Sequence, residues 1–394
     1  MKTKIVMFTV AAVGGAWLAG LDPASAQIPS WQLTSAPANA WTSVATSEDG
    51  TRLVAVGGHF IYNSTNYGST WISNDAPATV SWASVASSAD GTKLAATGGG
   101  AIFTNSGTTW AQAFASPRSG ASYNQNISFV ASSADGTKLV AVSSFGDPIY
   151  SPKPLVYVSA DSGASWVSVT NSPSDGQGWL SVVSSADGNK LAAAMMTGGI
   201  FTSINAGATW ASNNVLPIVC LASSADGNEL YGAGPFGLLA SANAGASWAP
   251  LLNALFVTNR IACSTNGLVL FGLGKTNIYS SFNGGTTWTT NTAPRTNWTA
   301  IAVSKDGTRA VAAVSGGGIY TLNPPPLFVT NSNNTISLLW ATNYASIGLG
   351  LAQNSDLAST NWVAVPNIPV IKNTFYQVSL SATNQQLFFR LQTP

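Results

Sequence analysis

Short runs in which hydrophobic residues alternate with small polar ones recur along most of the chain. One such run, Ser84–Ser88, precedes an Asp-Gly pair, and another, Lys93–Ala96, follows it. Runs of this length and pattern predict β-strands in a half-buried sheet. An Asp-Gly or Asn-Gly pair between two such strands is a strong local signal of a β-hairpin, here one with a two-residue turn at positive φ.

The Asp-Gly or Asn-Gly pair occurs seven times between hydrophobic runs. The seven hairpin turns are Asp49-Gly50, Asp90-Gly91, Asp135-Gly136, Asp187-Gly188, Asp226-Gly227, Asn266-Gly267 and Asp306-Gly307. Successive turns are separated by 41, 45, 52, 39, 40 and 40 residues. A period near 40 residues with four short strands in each repeat is typical of a β-propeller. We therefore predict an all-β fold with seven blades, numbered below in chain order as repeats 1 to 7.

A second signature, Ser-x-Asn/Asp-x-Gly-x-Thr/Ser-Trp, follows the hairpins, and we call it the tryptophan turn. Complete copies span residues 64–71, 159–166, 203–210, 241–248 and 281–288, and a shortened copy spans 105–110. The signature resembles the Asp-box, or bacterial neuraminidase repeat, which is found in sialidases, in some large glycoside hydrolases and in propellers of the photosystem II assembly-factor type.

The resemblance implies that each tryptophan turn joins the third and fourth strands of a blade, away from the ligand face. The residues at the Asp position are Asn66, Asn105, Asp161, Asn205, Asn243 and Asn283. We predict a structural role for them, because a short polar side chain two residues before glycine can bond the amides of the turn. Asparagine makes the same bonds without a charge, which argues against a calcium site.

The last repeat has no tryptophan turn, because Thr321 is followed almost directly by Pro324-Pro325-Pro326. The stretch Trp31–Pro37 resembles the strand after a tryptophan turn, so we expect it to complete the seventh blade and close the ring. These features define a propeller domain over residues 27–323. Residues 324–394 have alternating runs and no repeat signature, which predicts a small C-terminal β-sandwich domain of fibronectin-like length.

Residues 1–26 have the layout of a secretory signal peptide. Lys2 and Lys4 precede an apolar stretch that ends at the small-residue motif Ala24-Ser25-Ala26, which is typical of a cleavage site. A transmembrane anchor is the alternative, but the apolar stretch is short and is diluted by glycine. We expect cleavage after Ala26 and a secreted or periplasmic protein with no membrane-inserted segment.

Composition excludes several kinds of site. Charged residues make up only 7% of the chain, with 15 Lys+Arg against 14 Asp+Glu, so there is no basic excess for binding nucleic acid. A single histidine and two cysteines cannot assemble a Cys/His zinc site, and no phosphate-binding loop or nucleophile elbow occurs. We expect no cofactor and no metal. Cys220 and Cys263 fall on adjacent blades with side chains on opposite sheet faces, which argues against a disulfide.

Three insertions longer than the repeat requires lie at residues 111–126, 143–155 and 168–178. If hairpin turns and tryptophan turns share one face of the disc, the turn face, these insertions rise together on the opposite face, the loop face. Their candidate binding residues are Arg118, Tyr123, Asp147, Tyr150, Lys153 and Asp175, with Trp179 at the edge. We expect this surface to bind a protein or a glycan; solvated insertions with no partner are the alternative.

The sialidase resemblance implies three arginines on a substrate carboxylate, a tyrosine activated by glutamate, and an aspartate. Arg118, Arg260 and Arg295 fall on connections of the loop face, which keeps an arginine cluster open. Arg52 and Arg309 follow hairpin turns, where we expect solvated side chains. The Arg-Ile-Pro motif of that family is absent.

The positions of the carboxylates along the chain make an enzyme the weaker interpretation of this protein. The two glutamates, Glu48 and Glu229, both adjoin hairpin turns, so a Tyr–Glu pair has no place on the loop face. A two-carboxylate glycoside hydrolase would use Asp147 and Asp175, on neighbouring insertions. We predict an exported, monomeric, non-enzymatic binding or assembly module, with glycoside hydrolysis as the alternative.

Overall fold

The computed structural model describes residues 31–105, 109–115, 127–144, 155–169, 178–196, 198–213, 217–291, 293–322, 328–332, 335–341, 350–354, 363–372, 375–381 and 388–392. Over these residues the chain is all-β, with small antiparallel sheets, a 3-10 turn at Leu252–Ala254 and no α-helix. It divides into two compact units, residues 31–322 with all seven repeats, and a C-terminal unit from Asn323.

Most repeats contribute four strands, in chain order, to one sheet. The N-terminal strand is β1 (Gln32–Leu33), and repeat 1 contains β2 (Asn39–Thr46), β3 (Leu53–Gly57), β4 (Phe60–Ser64) and β5 (Ile72–Ser73). Repeat 2 contains β6 (Trp82–Ser87), β7 (Leu94–Gly98), β8 (Ala101–Asn105) and β9 (Trp110–Ala115). Repeat 3 contains β10 (Ile127–Ser132), β11 (Leu139–Ser143), β12 (Val156–Ser159) and β13 (Val167–Val169). Repeat 4 contains β14 (Trp179–Ser184), β15 (Leu191–Met195), β16 (Ile200–Ser203) and β17 (Ala211–Asn213).

The remaining repeats follow the same order. Repeat 5 contains β18 (Cys220–Ser223), β19 (Leu230–Gly234), β20 (Gly237–Ser241) and β21 (Ala249–Leu251). Repeat 6 contains β22 (Arg260–Cys263), β23 (Leu270–Leu273), β24 (Ile278–Ser281) and β25 (Thr289–Thr290). Repeat 7 contains β26 (Trp298–Val303), β27 (Ala310–Gly317) and β28 (Ile319–Leu322). The C-terminal unit contains β29 (Phe328–Ser332), β30 (Thr335–Ala341), β31 (Gly350–Asn354), β32 (Val363–Ala364), β33 (Val370–Lys372), β34 (Phe375–Ser381) and β35 (Phe388–Gln392).

The hydrophobic core lies between successive sheets. Second strands such as β3, β7 and β11 are buried at every residue, which explains why they are continuous apolar runs rather than alternating ones. First strands have a fully buried tryptophan at or near their start in four repeats: Trp41, Trp82, Trp179 and Trp298. Each of these rings packs edge-on against a third-strand aromatic of its own repeat, with centroids 5.0 to 5.7 Å apart.

Each hairpin turn is a longer loop than the two-residue turn that the sequence predicts. In repeat 1 the loop closes with the Ser47 N–H donating to the Arg52 carbonyl at 2.8 Å. Gly50 has a φ of 73°, and Asp49 lies outside the left-handed region, so the prediction of a two-residue turn is wrong. A serine hydroxyl holds the wider loop: Ser47 donates to the Asp49 carboxylate at 2.6 Å and accepts from the Arg52 N–H at 3.0 Å. The same two bonds recur at Ser88, Ser133, Ser185, Ser224, Ser264 and Ser304.

The hairpin aspartates make stability depend on acid pH. Hydrogen bonds from the Ser133 hydroxyl and from Thr137 lower the pKa of Asp135 to about 2, below the value of about 3.9 for an unfolded chain. Because the folded pKa is the lower one, this stabilisation is complete above about pH 4 and is lost as pH falls through 2. We expect the free energy of unfolding, measured by denaturant titration, to fall between pH 4 and 2.

Repeat 6 supplies the control for this dependence, since Asn266 accepts the Ser264 hydroxyl at 2.7 Å and the Leu268 N–H at 3.0 Å without a titrating group. Asp135→Asn should therefore keep the loop and flatten the pH dependence, while Asn266→Asp should steepen it. Identical pH profiles in both variants would contradict the assignment.

A ring of backbone hydrogen bonds joins the seven hairpin turns. The residue before each Asp or Asn donates its N–H to the carbonyl of its counterpart in the next repeat, at 2.7 to 3.0 Å. In order, these residues are Glu48, Ala89, Ala134, Ala186, Ala225, Thr265 and Lys305. Lys305 donates to the Glu48 carbonyl, which returns the ring to repeat 1, and their side chains form an ion pair at 3.2 Å.

Cations that follow the hairpin turns also link neighbouring repeats. The Nζ atoms of Lys93, Lys138 and Lys190 each donate to a carbonyl of the next hairpin turn at 3.0 Å. Arg309 is half-buried, lies 3.9 Å from the centroid of the Tyr67 ring and donates to the Asp49 carbonyl at 3.4 Å. The expectation that Arg309 is merely solvated is therefore wrong, because its stem packs across the junction of repeats 7 and 1.

The N-terminal strand completes repeat 7, as predicted. β1 pairs antiparallel with β28, with Gln32 opposite Thr321. The centroid of the buried Trp31 ring lies 6.2 Å from that of Trp298. In repeat 4, Trp210 of the tryptophan turn lies in the same way against Trp179, with centroids 6.4 Å apart. The Trp31 indole N–H donates to Asn291 Oδ1 at 3.3 Å. Trp31 thus takes the place of the tryptophan that repeat 7 lacks.

A second strand pairing joins repeats 7 and 1. β27 extends beyond the other second strands and pairs with the start of β2, with Ala40 opposite Ser315 and Asn39 opposite Gly317. The sheets of repeats 7 and 1 therefore join into one path, β1-β28-β27-β2-β3-β4-β5, with β26 also paired to β27. Contacts between distant parts of the sequence hold the two repeats together at both ends of the strands.

The five complete tryptophan turns share one hydrogen-bond network. In repeat 5, the Ser241 hydroxyl accepts the Gly245 N–H at 2.9 Å, and Asn243 Oδ1 accepts the Ser247 N–H at 2.9 Å. The Trp248 indole N–H donates to the Gly245 carbonyl at 3.1 Å. Asp161, in the same position of repeat 3, accepts from the Ser165 hydroxyl and N–H, which lower its pKa to about 2.

The residue before the turn glycine is left-handed in all five copies, although only one copy has glycine there. Ala244 has a φ of 55°, and its counterpart Gly284 has a φ of 65°. Because the left-handed conformation is unfavourable for residues with a Cβ, Ala244→Gly should raise the free energy of unfolding by roughly 0.5–1 kcal/mol. Gly284→Ala should lower it by a similar amount, since a Cβ there meets no atom nearer than the Tyr231 hydroxyl at 3.7 Å. Denaturant titration of both variants measures these changes, and changes of the same sign would contradict the strain.

The C-terminal unit consists of two antiparallel sheets. One has the strand order β29-β30-β34-β33 and the other has the order β32-β31-β35. Leu338 and Val378, opposite each other on β30 and β34, are buried, as is Leu351 on β31.

Candidate functional site

Hydrogen bonds between loops show which loops lie together at the same end of the sheets. Tryptophan-turn residues donate backbone N–H groups to the carbonyl after the hairpin turn of the same repeat, as Ala244 does to Asn228 at 2.9 Å. Connections between repeats bond instead to the turns between second and third strands, as Thr296 does to Thr276 at 3.1 Å. Hairpin and tryptophan turns therefore share the turn face, and the described parts of the other loops share the loop face, as the sequence predicts.

The predicted binding residues are Arg118, Tyr123, Asp147, Tyr150, Lys153 and Asp175, and they lie outside the described residues. Trp179 is described, and it is fully buried against Phe201 with ring centroids 5.5 Å apart. Its side chain therefore belongs to the core, in the same place as Trp41 and Trp82, rather than to the edge of a binding surface. The reason is that β14 begins at this residue and turns it toward repeat 3.

Polar groups on the turn face are engaged in holding the fold. Hydrogen bonds from Ser88, Ser185 and Ser224 lower the pKa values of Asp90, Asp187 and Asp226, respectively. Each of these carboxylates also accepts a backbone N–H of its own loop. These three aspartates therefore act as turn acceptors, and their low pKa values are those of hydrogen-bonded anions, not of proton donors near neutral pH.

The described part of the loop face carries a different set of side chains. Its exposed hydrophobic residues are Phe60, Met196, Phe236, Leu255 and Phe256. Its cations are the exposed Lys275 and Arg295 and the half-buried Arg260, while the described carboxylate on this face is Asp75, at the connection between repeats 1 and 2. Within the described ranges, neither Lys275 nor Arg295 takes part in an ion pair with a carboxylate.

Groups with catalytic potential are dispersed over the described residues. His59 is exposed, and its Nδ1 lies 3.0 Å from the Val80 carbonyl, a local loop contact. Glu48 is paired with Lys305 on the turn face, so it cannot activate a tyrosine on the loop face. Cys220 and Cys263 are free thiols, and burial raises the pKa of Cys263 to about 12, which keeps it protonated and unreactive.

The described residues contain neither a metal-ligand cluster nor a membrane-spanning helix. No group of three or more His, Cys, Asp or Glu side chains is placed to hold a metal ion there. None of the helices in the described part is long and apolar enough to cross a membrane.

One surface was missed by sequence reasoning. Phe236 lies in the turn between β19 and β20, and Leu255 and Phe256 lie in the connection from β21 to β22. All three side chains are at least partly exposed on the loop face. The available signal was the hydrophobic pair Leu255-Phe256 in a connection between repeats, but exposure itself is set by tertiary structure.

Comparison with known proteins gives a structural likeness alone. No family model matches the chain, and no curated protein matches it in sequence. The chain is similar to the structure of YCF48 from Cyanidioschyzon merolae, with a TM-score of 0.57 and 14% identity over 75% of this chain and 98% of that one. It is also similar to a structure of YCF48 bound to D1 peptide, with a TM-score of 0.57 and 15% identity over 77% of this chain and 98% of that one. The likeness shows that the matched part of the chain has a β-propeller fold.

Proposed function

We propose that this protein is an exported, non-enzymatic β-propeller that binds a polypeptide segment on its loop face. In this proposal the seven repeats form seven blades of Asp-box type, residues 1–26 are removed on export, and the C-terminal unit is a β-sandwich. The observation that carries the proposal is the contrast between the two faces. Described carboxylates of the turn face are engaged in hydrogen bonds or in an ion pair, whereas the loop face presents exposed hydrophobic side chains on adjoining loops together with the exposed cations Lys275 and Arg295, which have no described carboxylate partner.

The YCF48 likeness supports a polypeptide as the ligand class, since one of the similar structures holds a D1 peptide. Exposed hydrophobic groups on adjoining loops are typical of interaction sites, and the loop face has such a group in Phe236, Leu255 and Phe256, whereas the exposed Ile204 and Leu268 of the turn face lie in separate repeats. The loops that bear them stand on a rigid ring of sheets, which is the usual arrangement for binding loops.

The proposal is tested by presenting the purified protein with an array of 12-residue synthetic peptides and with a panel of oligosaccharides that includes sialosides and β-glucans. We expect saturable binding of a subset of peptides and no release of sugar products. Sugar release that is lost in Asp147→Asn or Asp175→Asn would establish the hydrolase alternative and refute the proposal.

A further inference from the structure

Three exposed loop-face side chains of repeats 5 and 6 stand on two adjoining loops, and we call them the ledge: Phe236, Leu255 and Phe256. Phe236 and Leu255 are 62% and 58% exposed. The two loops that carry them touch, because a Cβ added at Gly237 would lie 2.9 Å from the Leu255 Cα. The ledge is therefore one surface built from two chain segments.

Buried neighbouring residues and aromatic contacts fix the position of the ledge. Ala254 and Val257, on either side of the exposed pair, are fully buried between repeats 5 and 6. The Phe256 ring stacks on Tyr279 with centroids 4.1 Å apart and meets Trp288 edge-on at 6.1 Å. A rigid hydrophobic surface loses little conformational entropy when a partner docks.

Cations adjoin one end of the ledge. Gly274 packs so tightly under the Phe256 carbonyl that a Cβ there would lie 2.7 Å from that oxygen, and Lys275 is the next residue. The Thr296 N–H donates to the Thr276 carbonyl at 3.1 Å, which brings the neighbouring Arg295 beside Lys275. From repeat 5 toward repeat 7, the loop face thus presents first the hydrophobic side chains of the ledge and then the cations Lys275 and Arg295.

The charge pattern selects the partner. Two exposed cations with no described carboxylate partner favour an anionic group, and the ledge favours hydrophobic side chains next to it. Phe236 offers an open aromatic face to a sugar ring, but Leu255 and Phe256 have no polar side-chain group for the sugar hydroxyls, and Tyr279 already covers one face of Phe256. An extended peptide satisfies both halves, since its alternate side chains are spaced to follow a surface of this kind.

We infer that the ledge is the docking site for an extended peptide segment in which hydrophobic residues adjoin carboxylates, the carboxylates lying at Lys275 and Arg295. This inference rests on the proposed polypeptide-binding function and assigns that function a place and a ligand chemistry.

The test measures fluorescence anisotropy of three labelled 12-residue peptides on the protein purified after expression of the full chain. The first peptide has three alternate leucines followed by Asp-Glu-Asp, the second has Lys-Lys-Lys in place of the acidic residues, and the third has serine in place of each leucine. We expect the first to bind at least about tenfold more tightly than either of the others, because a good anchor or charge pair is worth about a factor of ten.

Variants locate the site. Phe236→Ser with Leu255→Ser should weaken the first peptide at least about tenfold, and Lys275→Glu with Arg295→Glu should reverse the preference between the first and second peptides. Phe60→Ser is the matched control, because Phe60 is also half-exposed, at the start of the third strand of repeat 1 on the loop face, and it should leave binding unchanged. All substituted side chains are exposed, and denaturant titration verifies that each variant is folded.

The outcomes separate this inference from the proposed function. Binding of the first peptide that survives both double variants would overturn the ledge and leave polypeptide binding in place. A protein that binds none of the peptides in the array would overturn both. Displacement of the first peptide by an oligosaccharide, with sugar binding lost in the Phe236→Ser and Leu255→Ser variant, would overturn the peptide as the ligand class.

Discussion

Replacing Trp31 by alanine is expected to lower the free energy of unfolding by about 3–5 kcal/mol, the usual cost of emptying a buried tryptophan site. The ring is 5% exposed and packs between Phe271 and Trp298, with centroid distances of 6.1 and 6.2 Å. The cost falls between repeats 6 and 7, where the ring packs, and it weakens closure because β1 is the strand that completes repeat 7. Denaturant titration followed by tryptophan fluorescence and by far-UV circular dichroism measures the change.

Leu33→Ala is the control for Trp31→Ala, since Leu33 lies on the same strand but is 62% exposed. We expect a loss below about 1 kcal/mol there, as for most surface substitutions. Equal losses for the two variants would mean that pairing of β1, and not packing of the indole, closes repeat 7.

Gly57→Ala is expected to cost about 1–3 kcal/mol or more, the range for overpacking a tight site. Gly57 ends β3, where the chain entering β2 crosses it, and an added Cβ would lie 2.3 Å from the Ala40 carbonyl oxygen and 2.6 Å from the Trp41 Cα. Both obstacles are backbone atoms, so the strands themselves must move apart. Gly98 and Gly234, which end second strands in repeats 2 and 5, meet the Ser81 and Pro217 carbonyl oxygens at 2.6 and 2.2 Å.

Gly318→Ala provides the comparison for Gly57→Ala. A Cβ at Gly318 would approach the Leu33 Cδ1 at 2.5 Å, but this methyl group belongs to an exposed side chain that can rotate away. Thermal and chemical denaturation should show a small loss for Gly318→Ala and a large one for Gly57→Ala. A reversed order would show that backbone crowding at the end of β3 is relieved without cost.

Features of the fold that repeat in the sequence could be predicted from it. Each hairpin turn and each tryptophan turn is recognisable from a motif of at most eight residues. The role of β1 followed from the missing tryptophan turn in repeat 7. The role of Ser47 and its counterparts was missed, because its hydroxyl bonds a backbone N–H five residues ahead, a relation that strand patterns do not contain. This serine widens the loop, which is why the two-residue turn was wrong.

Tertiary contacts limited prediction of the candidate site. Insertion lengths indicated where loops rise, but they carried no information on which hydrophobic residues stay exposed, so the ledge was missed. Trp179 shows a different limit. It lies eight residues before Asp187, as Trp41 lies before Asp49 and Trp298 before Asp306, and aligning the repeats at this position would have placed it in the core.

The ring of seven backbone hydrogen bonds on the turn face leaves no repeat at an open end. Each turn is donor to one neighbour and acceptor to the other, and Lys305 returns the cycle to Glu48. In a linear stack the two terminal repeats have one neighbour each and need special capping sequences. Here every hairpin turn has two neighbours, so unfolding has no terminal repeat on this face at which to begin.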